Sequence, residues 1–265
     1  MNSLQKAFKK PGTHLIPFIT AGDPNVEVTE SIIELLEEEG VTAIELGVPF
    51  SEPVADGPTI QAASQRALEN GVKLMSVLDL ARRVREKGCQ VPLILFSYYN
   101  PLLQYGLERL IGELAEIGFQ GMIIPDLPFE ESGSLRQWAK NEGIAVIPLV
   151  APTSRQRIEM IVEEAEGFVY CISSLGTTGQ RSQFDEQIFS FLQTVRQASP
   201  VPIAVGFGIS SPEQVARFSS YSDAVIVGSS LVERIHQLSP TLMDPARRDE
   251  GLEEVRRFVR HLKSE

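Results

Sequence analysis

Two carboxylates stand where ordinary folding has little use for them. Glu45 falls within an apolar, strand-like run (Val41, Ala43, Ile44, Leu46, Val48), and Asp56 follows in a loop stiffened by Pro49, Pro53 and Pro58. With a strand period of two, Glu45 shares a face with Ala43 and Gly47, while Ile44, Leu46 and Val48 point the other way. Both faces are poor in water, so an ionised Glu there costs free energy unless something pairs with it or uses it. A carboxyl held at a strand end in a partly apolar place is suited to proton transfer. The plainer alternative is a strand-end Glu that reaches solvent or a nearby Arg.

A second concentration of chemistry lies in the C-terminal half. Small residues crowd three strand-like runs at their ends: Ser173-Ser174-Leu175-Gly176-Thr177-Thr178-Gly179, then Gly206-Phe207-Gly208-Ile209-Ser210, then Gly228-Ser229-Ser230 before a helical start at Leu231-Val232. Glycine lets backbone approach a ligand closely, and the amides at a helix N-terminus bind anions. No Lys or Arg stands near the last two of these segments. Neutral amides and hydroxyls therefore suit a small phosphate ester better than a polyphosphate, which normally recruits Mg²⁺ or basic groups. The stretch 173–186 is long and rich in Ser, Thr, Gly and Gln, as befits a lid over a bound substrate or a surface loop.

The elements that must position these groups alternate. Apolar, β-rich runs recur at 15–20, 42–47, 91–97, 119–125, 144–150, 167–172, 201–206 and 223–228. Helical spacing fills 28–39, 59–70, 73–88, 107–117, 131–142, 154–165, 186–198, 211–219 and 248–263. Gly40, Gly88, Gly118 and Gly143 each precede a strand, as left-handed helix caps would. Eight strands, each followed by helix, in a chain of 265 residues predict a single (β/α)₈ TIM barrel with extra short helices, residues 1–265 forming one domain. An open doubly wound sheet would show a glycine-rich fingerprint after its first strand, where this chain has Thr20-Ala21-Gly22-Asp23-Pro24. In a barrel, Glu45, Asp56, Asp126 and the strand bearing Tyr170 gather at the C-terminal mouth. Residues 237–250, with Pro240 and Pro245, read as a surface connection.

Composition narrows the function classes. A hydrophobic content of 43% suits a well-buried core. No apolar stretch is long enough to span a bilayer and no signal-peptide core follows the first residues. Cys89 and Cys171 form no metal spacing, and so few thiols suit a reducing compartment, predicting a cytoplasmic protein. A formal charge of −11 opposes nucleic acid or an anionic membrane as partner.

Taken together, PFITAGDP at 17–24, IELGVPFSEPVADGPTIQ at 44–61, PDLPFEES at 125–132, SSLGTTG at 173–179 and GFGISSPEQV at 206–215 resemble the tryptophan synthase α-subunit family over nearly the whole chain. The resemblance implies cleavage of indole-3-glycerol phosphate to indole and glyceraldehyde 3-phosphate, a retro-aldol step of L-tryptophan biosynthesis that needs no metal and no cofactor in this chain. It implies a pyridoxal-phosphate-dependent β subunit as partner in an α2β2 assembly. By matching, Glu45 is the catalytic acid/base and Asp56 the acceptor that stabilises positive charge at indole N1. Phe18 and Tyr170 match the indole-side pocket, Thr178 would hydrogen-bond Asp56 on lid closure, and Gly179, Phe207, Gly208, Gly228 and Ser229 match the phosphate site. Phe18 and Phe207 suit plain core packing equally.

This sequence departs from the family pattern at Thr177, where Val is frequent, and at Glu52, where Asp is more usual; neither removes a catalytic group. Other phosphate-binding barrels rely on a catalytic Lys, a metal, or paired His and Asp. Here the strand ends carry no Lys, and His14, His236 and His261 are dispersed. A purely regulatory partner of a β subunit is the rival of another class, and it has no use for a buried carboxyl.

Overall fold

The computed structural model describes residues 3–154, 157–172, 187–206 and 208–263. A short helix, α1 (Ser3–Ala7), precedes β1 (Leu15–Thr20). Then come α2 (Val26–Glu38), β2 (Ile44–Gly47), α3 (Pro58–Glu69), α4 (Leu74–Glu86) and β3 (Leu93–Phe96). Two helices, α5 (Tyr99–Tyr105) and α6 (Leu107–Ile117), lead to β4 (Gly121–Ile123). Helix α7 (Gly133–Asn141) leads to β5 (Ala145–Val146) and β6 (Leu149–Val150), and α8 (Ile158–Glu163) to β7 (Val169–Ile172). The chain ends with α9 (Gln187–Ala198), β8 (Ile203–Gly206), α10 (Pro212–Ser219), β9 (Ala224–Val227), α11 (Ser229–Gln237), α12 (Ser239–Leu242) and α13 (Arg248–Lys263).

All strand pairs are parallel, in the order β5-β4-β3-β2-β1-β9-β8-β7-β6. The two ends of that order are consecutive pieces of one extended run. β5 pairs with β4, β6 pairs with β7, and the link is continued by Ile147 N donating to Met122 O and Tyr170 N donating to Pro148 O, both at 2.9 Å. The sheet therefore closes into the predicted eight-stranded barrel. The strand expected at 144–150 is split because the stagger of a barrel presents different halves of one strand to its two neighbours.

The predicted alternation holds inside that ring. Ala43 faces the barrel interior with Ile16, Ile94, Phe168 and Ala204, whereas Ile44 and Leu46 face the helices with Leu93, Leu95, Val205 and Val225. Fully buried Leu4 from α1, with Phe8, packs into the interior cluster. Apolar side chains thus fill the inner space away from the mouth. The glycines expected to cap helices do so: Gly118 ends α6 with φ +89°, and Gly40, Gly88 and Gly143 also have positive φ.

Two expectations need correction. The helix expected at 154–165 is the shorter α8, preceded by a 3₁₀ turn at Pro152–Ser154. Residues 237–250 are more than a surface connection: they contain α12, whose Leu242 is fully buried against Gly251 of α13. A side chain at Gly251 would place its Cβ 2.9 Å from Leu242 Cδ2, so the glycine allows that close approach.

Candidate active site

The mouth of the barrel holds a cavity of about 500 Å³. Phe18, Glu45, Asp56, Tyr170, Gly208, Gly228 and Ser229 all line it, joined by Ile60, Phe96, Leu149, Ile172 and Ile226. The sheet register explains the gathering. Glu45 lies level with Phe18 on one neighbouring strand and Ile94 on the other, and Tyr170 lies level with Leu149 and Ala204. Thr178, Gly179, Phe207 and the segment 173–186 lie outside the described residues.

Glu45 is 1% exposed, and its Oε1 has no hydrogen-bond partner among the described residues. Burial drives its carboxyl well above the usual range, with no cation or donor among the described residues to offset the lost hydration. The site thus favours the neutral form of Glu45 in an apolar cavity, with an oxygen that no described residue binds.

Asp56 is held differently. Its Oδ2 accepts from the Tyr98 hydroxyl at 2.9 Å, its backbone amide donates to Pro53 O at 3.0 Å, and its carbonyl accepts from Gln61 Nε2 at 2.8 Å. Burial raises its carboxyl to about 6, and the Tyr98 hydrogen bond opposes that rise. The two carboxyls thus sit in different environments: burial alone acts on Glu45, whereas at Asp56 a donated hydrogen bond opposes the effect of burial. Tyr98 escaped the sequence reading. It follows the third strand within Phe96-Ser97-Tyr98-Tyr99-Asn100, and neither composition nor period says which of two adjacent tyrosines turns inward.

Two glycines make room for the aromatic walls. A Cβ on Gly206 would lie 2.4 Å from the Tyr170 hydroxyl, and one on Gly47 would lie 2.6 Å from Cζ of Phe18. The Phe18 ring also meets Phe96 edge-on at 5.2 Å and packs with Ile60, Ala63 and Val232. Tyr170 is buried, and the nearby Glu45 and Asp56 reinforce the effect of burial in raising its phenol.

At the other side of the cavity Gly208 has φ +83°, Gly228 precedes α11, and Ser229 is its first residue. Ser230 Oγ donates to Ile209 O at 3.0 Å, tying the loop after β8 to the start of α11. No Lys, Arg or His is among the described lining residues. Asp126 does not join the site: it is exposed, and its Oδ1 accepts from Tyr99 N at 2.8 Å, holding the start of α5. Among the described residues no group of three or more His, Cys, Asp or Glu could hold a metal ion, and no helix is long and apolar enough to cross a membrane.

A closed (β/α)₈ ring with a buried acid pair and a glycine-rich helix start at its C-terminal mouth defines the class of barrel enzymes that work at that rim. Within that class the chain belongs to the tryptophan synthase alpha chain family, a family of lyases, whose model matches residues 4–264. It is 51% identical to the tryptophan synthase alpha chain of Geobacillus kaustophilus over 247 residues, covering 93% of this chain and 92% of that one. It is 48% identical to the alpha chain of Bacillus subtilis, covering 92% and 91%. Among solved structures, tryptophan synthase subunit alpha from Legionella pneumophila superposes with a TM-score of 0.88 at 32% identity, covering 99% of this chain and 97% of that one. A chain from the tryptophan synthase a2b2 complex of Pyrococcus furiosus superposes with a TM-score of 0.83 at 34% identity, covering 94% and 97%.

Proposed function

We propose that this chain cleaves indole-3-glycerol phosphate to indole and glyceraldehyde 3-phosphate, with Glu45 as acid/base and Asp56 as the partner of indole N1. The observation that carries the reading is the buried Glu45, whose neutral form burial favours and whose Oε1 has no partner among the described residues, lining one cavity with an Asp56 held by the Tyr98 hydroxyl. Protonated Glu45 delivers its proton to indole C3, leaving positive charge on the ring that is shared by N1. Ionised Asp56 accepts the N1–H hydrogen bond, which strengthens as that charge develops. The bond between C3 and the carbinol carbon of the side chain then breaks. Its electron pair returns to the ring, and the carbinol hydroxyl becomes the aldehyde as its proton passes to the Glu45 carboxylate. One proton leaves Glu45 and one returns, so the group ends as it began.

Phe18, Phe96, Ile60 and Tyr170 supply an apolar slot for the ring, and the amides around Gly208, Gly228 and Ser229 suit the phosphate. Thr178 would bond Asp56 on closure, with Gly179 and Phe207 completing the phosphate end. The chain itself would need no cofactor. Its partner would be a β subunit carrying pyridoxal phosphate, and the assembly would be α2β2, the stoichiometry of the P. furiosus complex. Its place would be the cytoplasm, as a single-domain enzyme of L-tryptophan biosynthesis.

Indole release from indole-3-glycerol phosphate, measured with and without a tryptophan synthase β subunit, tests both parts. Release that rises with the partner is expected. No indole in either condition, with substrate still bound, would leave only a regulatory role.

A further inference from the structure

The far end of α3 is fastened to the loop after β1. Arg66 donates from Nε to Asp23 Oδ1 at 2.8 Å and from Nη2 to Asp23 Oδ2 at 2.7 Å, a two-pronged contact. The Asp23 side chain is 2% exposed and that of Arg66 27%. Asn70, which ends the helix, donates from Nδ2 to Pro24 O at 2.7 Å and to Gly22 O at 3.2 Å. Val72 sits so close to Gly22 that a Cβ there would meet its Cγ2 at 2.4 Å. None of these residues lines the cavity, and the chemistry above leaves them unused.

The near end of the same helix carries the site. Gln61 Nε2 holds the Asp56 carbonyl, Ile60 walls the cavity, and Ile60 and Ala63 pack with Phe18 and with Val232 of α11. At a rise of about 1.5 Å per residue, the Arg66 anchor stands roughly 12 Å along the axis from Pro58. A continuous helix over that length carries a tilt at one end to the other as a rigid element. Stability alone gives little reason for the fork, since an ion pair with a buried carboxylate is often matched by apolar packing. A planar, bidentate contact does supply fixed orientation.

We infer that Asp23, Arg66 and Asn70 are positioning residues that set the axis of α3 and, through Gln61, the place of Asp56 in the cavity. Arg66 is faced by Asp23 from the β1 loop, Glu69 from its own helix and Glu233 from α11. Burial and the Tyr98 hydroxyl govern Asp56 titration, with no direct contribution from Arg66, so a changed titration reports geometry. Only the kinetic readout below rests on the proposed reaction.

The test uses the full chain with Arg66→Lys, which keeps the charge and loses the fork, and with Asp23→Asn. Asn70→Ala leaves the ion pair intact and serves if Asp23→Asn does not fold. Arg256→Met is the control, because Arg256 pairs with Glu38, Glu39 and Glu253 and its loss lowers stability elsewhere. Carboxyl-carbon NMR follows the Asp56 titration, and steady-state kinetics follow indole release. In the clamp variants the Asp56 midpoint should fall from about 6 toward its ordinary 3.8 as the carboxyl loses burial. Turnover should drop roughly tenfold to a hundredfold with KM little changed, as misplacement of an aligned group does. The control should lower the unfolding midpoint and move neither quantity. Wild-type titration and turnover in the clamp variants, or equal shifts in the control, would overturn the inference. Absence of cleavage in the parent chain would sink the proposed reaction and still leave the Asp56 titration to decide the clamp.

Discussion

The Tyr98 hydroxyl stands between the Ala55 amide, from which it accepts at 3.0 Å, and Asp56 Oδ2, to which it donates at 2.9 Å. Phe50 stacks on the Tyr98 ring at 5.1 Å with 24° between planes, bracing it from the side of the same loop. One phenol thus fixes both the backbone before Asp56 and the carboxylate itself. Because a donor to a carboxylate favours the charged form, Tyr98 keeps Asp56 ionised where burial alone would protonate it.

Tyr98→Phe removes that donor without disturbing the stack. The Asp56 carboxyl, now at about 6, should rise by about one unit, the scale of one charge-assisted hydrogen bond. If ionised Asp56 serves the proposed cleavage, the acidic limb of kcat/KM moves to higher pH by the same amount. Activity at alkaline pH should suffer less. A pH–rate profile of the variant checks both statements, and an unmoved acidic limb would separate Asp56 from the chemistry.

Glu45→Gln separates catalysis from stability. The folded-state value of Glu45 lies above its ordinary 4.5. Its titration therefore favours folding fully below that ordinary value, and this contribution is lost as pH rises through the raised one. Gln is neutral throughout, so the variant should unfold at higher temperature than the parent at about pH 8, with the gap closing toward about pH 5. Cleavage should fall by roughly 10² to 10⁴, the usual weight of a positioned acid/base. Unfolding scans at the two pH values, with indole assays beside them, check the pair of effects.

Much of this site is legible in the sequence because strand period and loop order alone place Glu45, Asp56, Tyr170 and the Gly228-Ser229 step at one rim. The barrel is legible for the same reason: each β-rich run is followed by amphipathic helix, and Gly40, Gly88, Gly118 and Gly143 punctuate the pattern. Other features carry no local signal. Ile60 and Phe96 read as ordinary core residues, and only closure of the ring turns them toward a cavity. Leu242 has only Leu238 and Met243 as large apolar company among the prolines, too little for a period, and its burial depends on the distant Gly251. The split of the fifth strand reflects barrel stagger, a property of the sheet rather than of residues 144–150. The inward turn of Tyr98 likewise depends on Asp56, 42 positions away.

Gly206→Ala and Gly47→Ala should damage the site from within the sheet. Their new methyl groups would lie 2.4 Å from the Tyr170 hydroxyl and 2.6 Å from Phe18 Cζ. Both distances require the aromatic ring to move, and overpacking of this kind costs about 1–3 kcal/mol. The ring can yield only toward the cavity or against buried neighbours, so indole binding should weaken along with stability. Urea unfolding and indole titration of each variant measure the two losses. A variant that loses stability and binds indole normally would show that the ring moved away from the cavity.

Ser229→Asp turns on the sign of one charge. Ser229 is the first residue of α11 and lines the cavity at the end proposed for phosphate. A carboxylate in the first turn of a helix interacts favourably with the unpaired amides there, which should stabilise the fold by about 0.3–1 kcal/mol. The same charge would occupy and repel the place of a dianionic ester. With no basic group among the described lining residues to absorb it, KM for the phosphate ester should rise by roughly two orders of magnitude, from Coulomb repulsion at short range in a poorly solvated site. Indole alone, carrying no phosphate, should bind as in the parent. Opposite changes in unfolding midpoint and ester affinity, with unchanged indole affinity, are the expected pattern. A rise in KM matched by an equal loss of indole binding would mean that the aspartate distorts the whole cavity, and Gly228-Ser229 would then lose its claim to the phosphate.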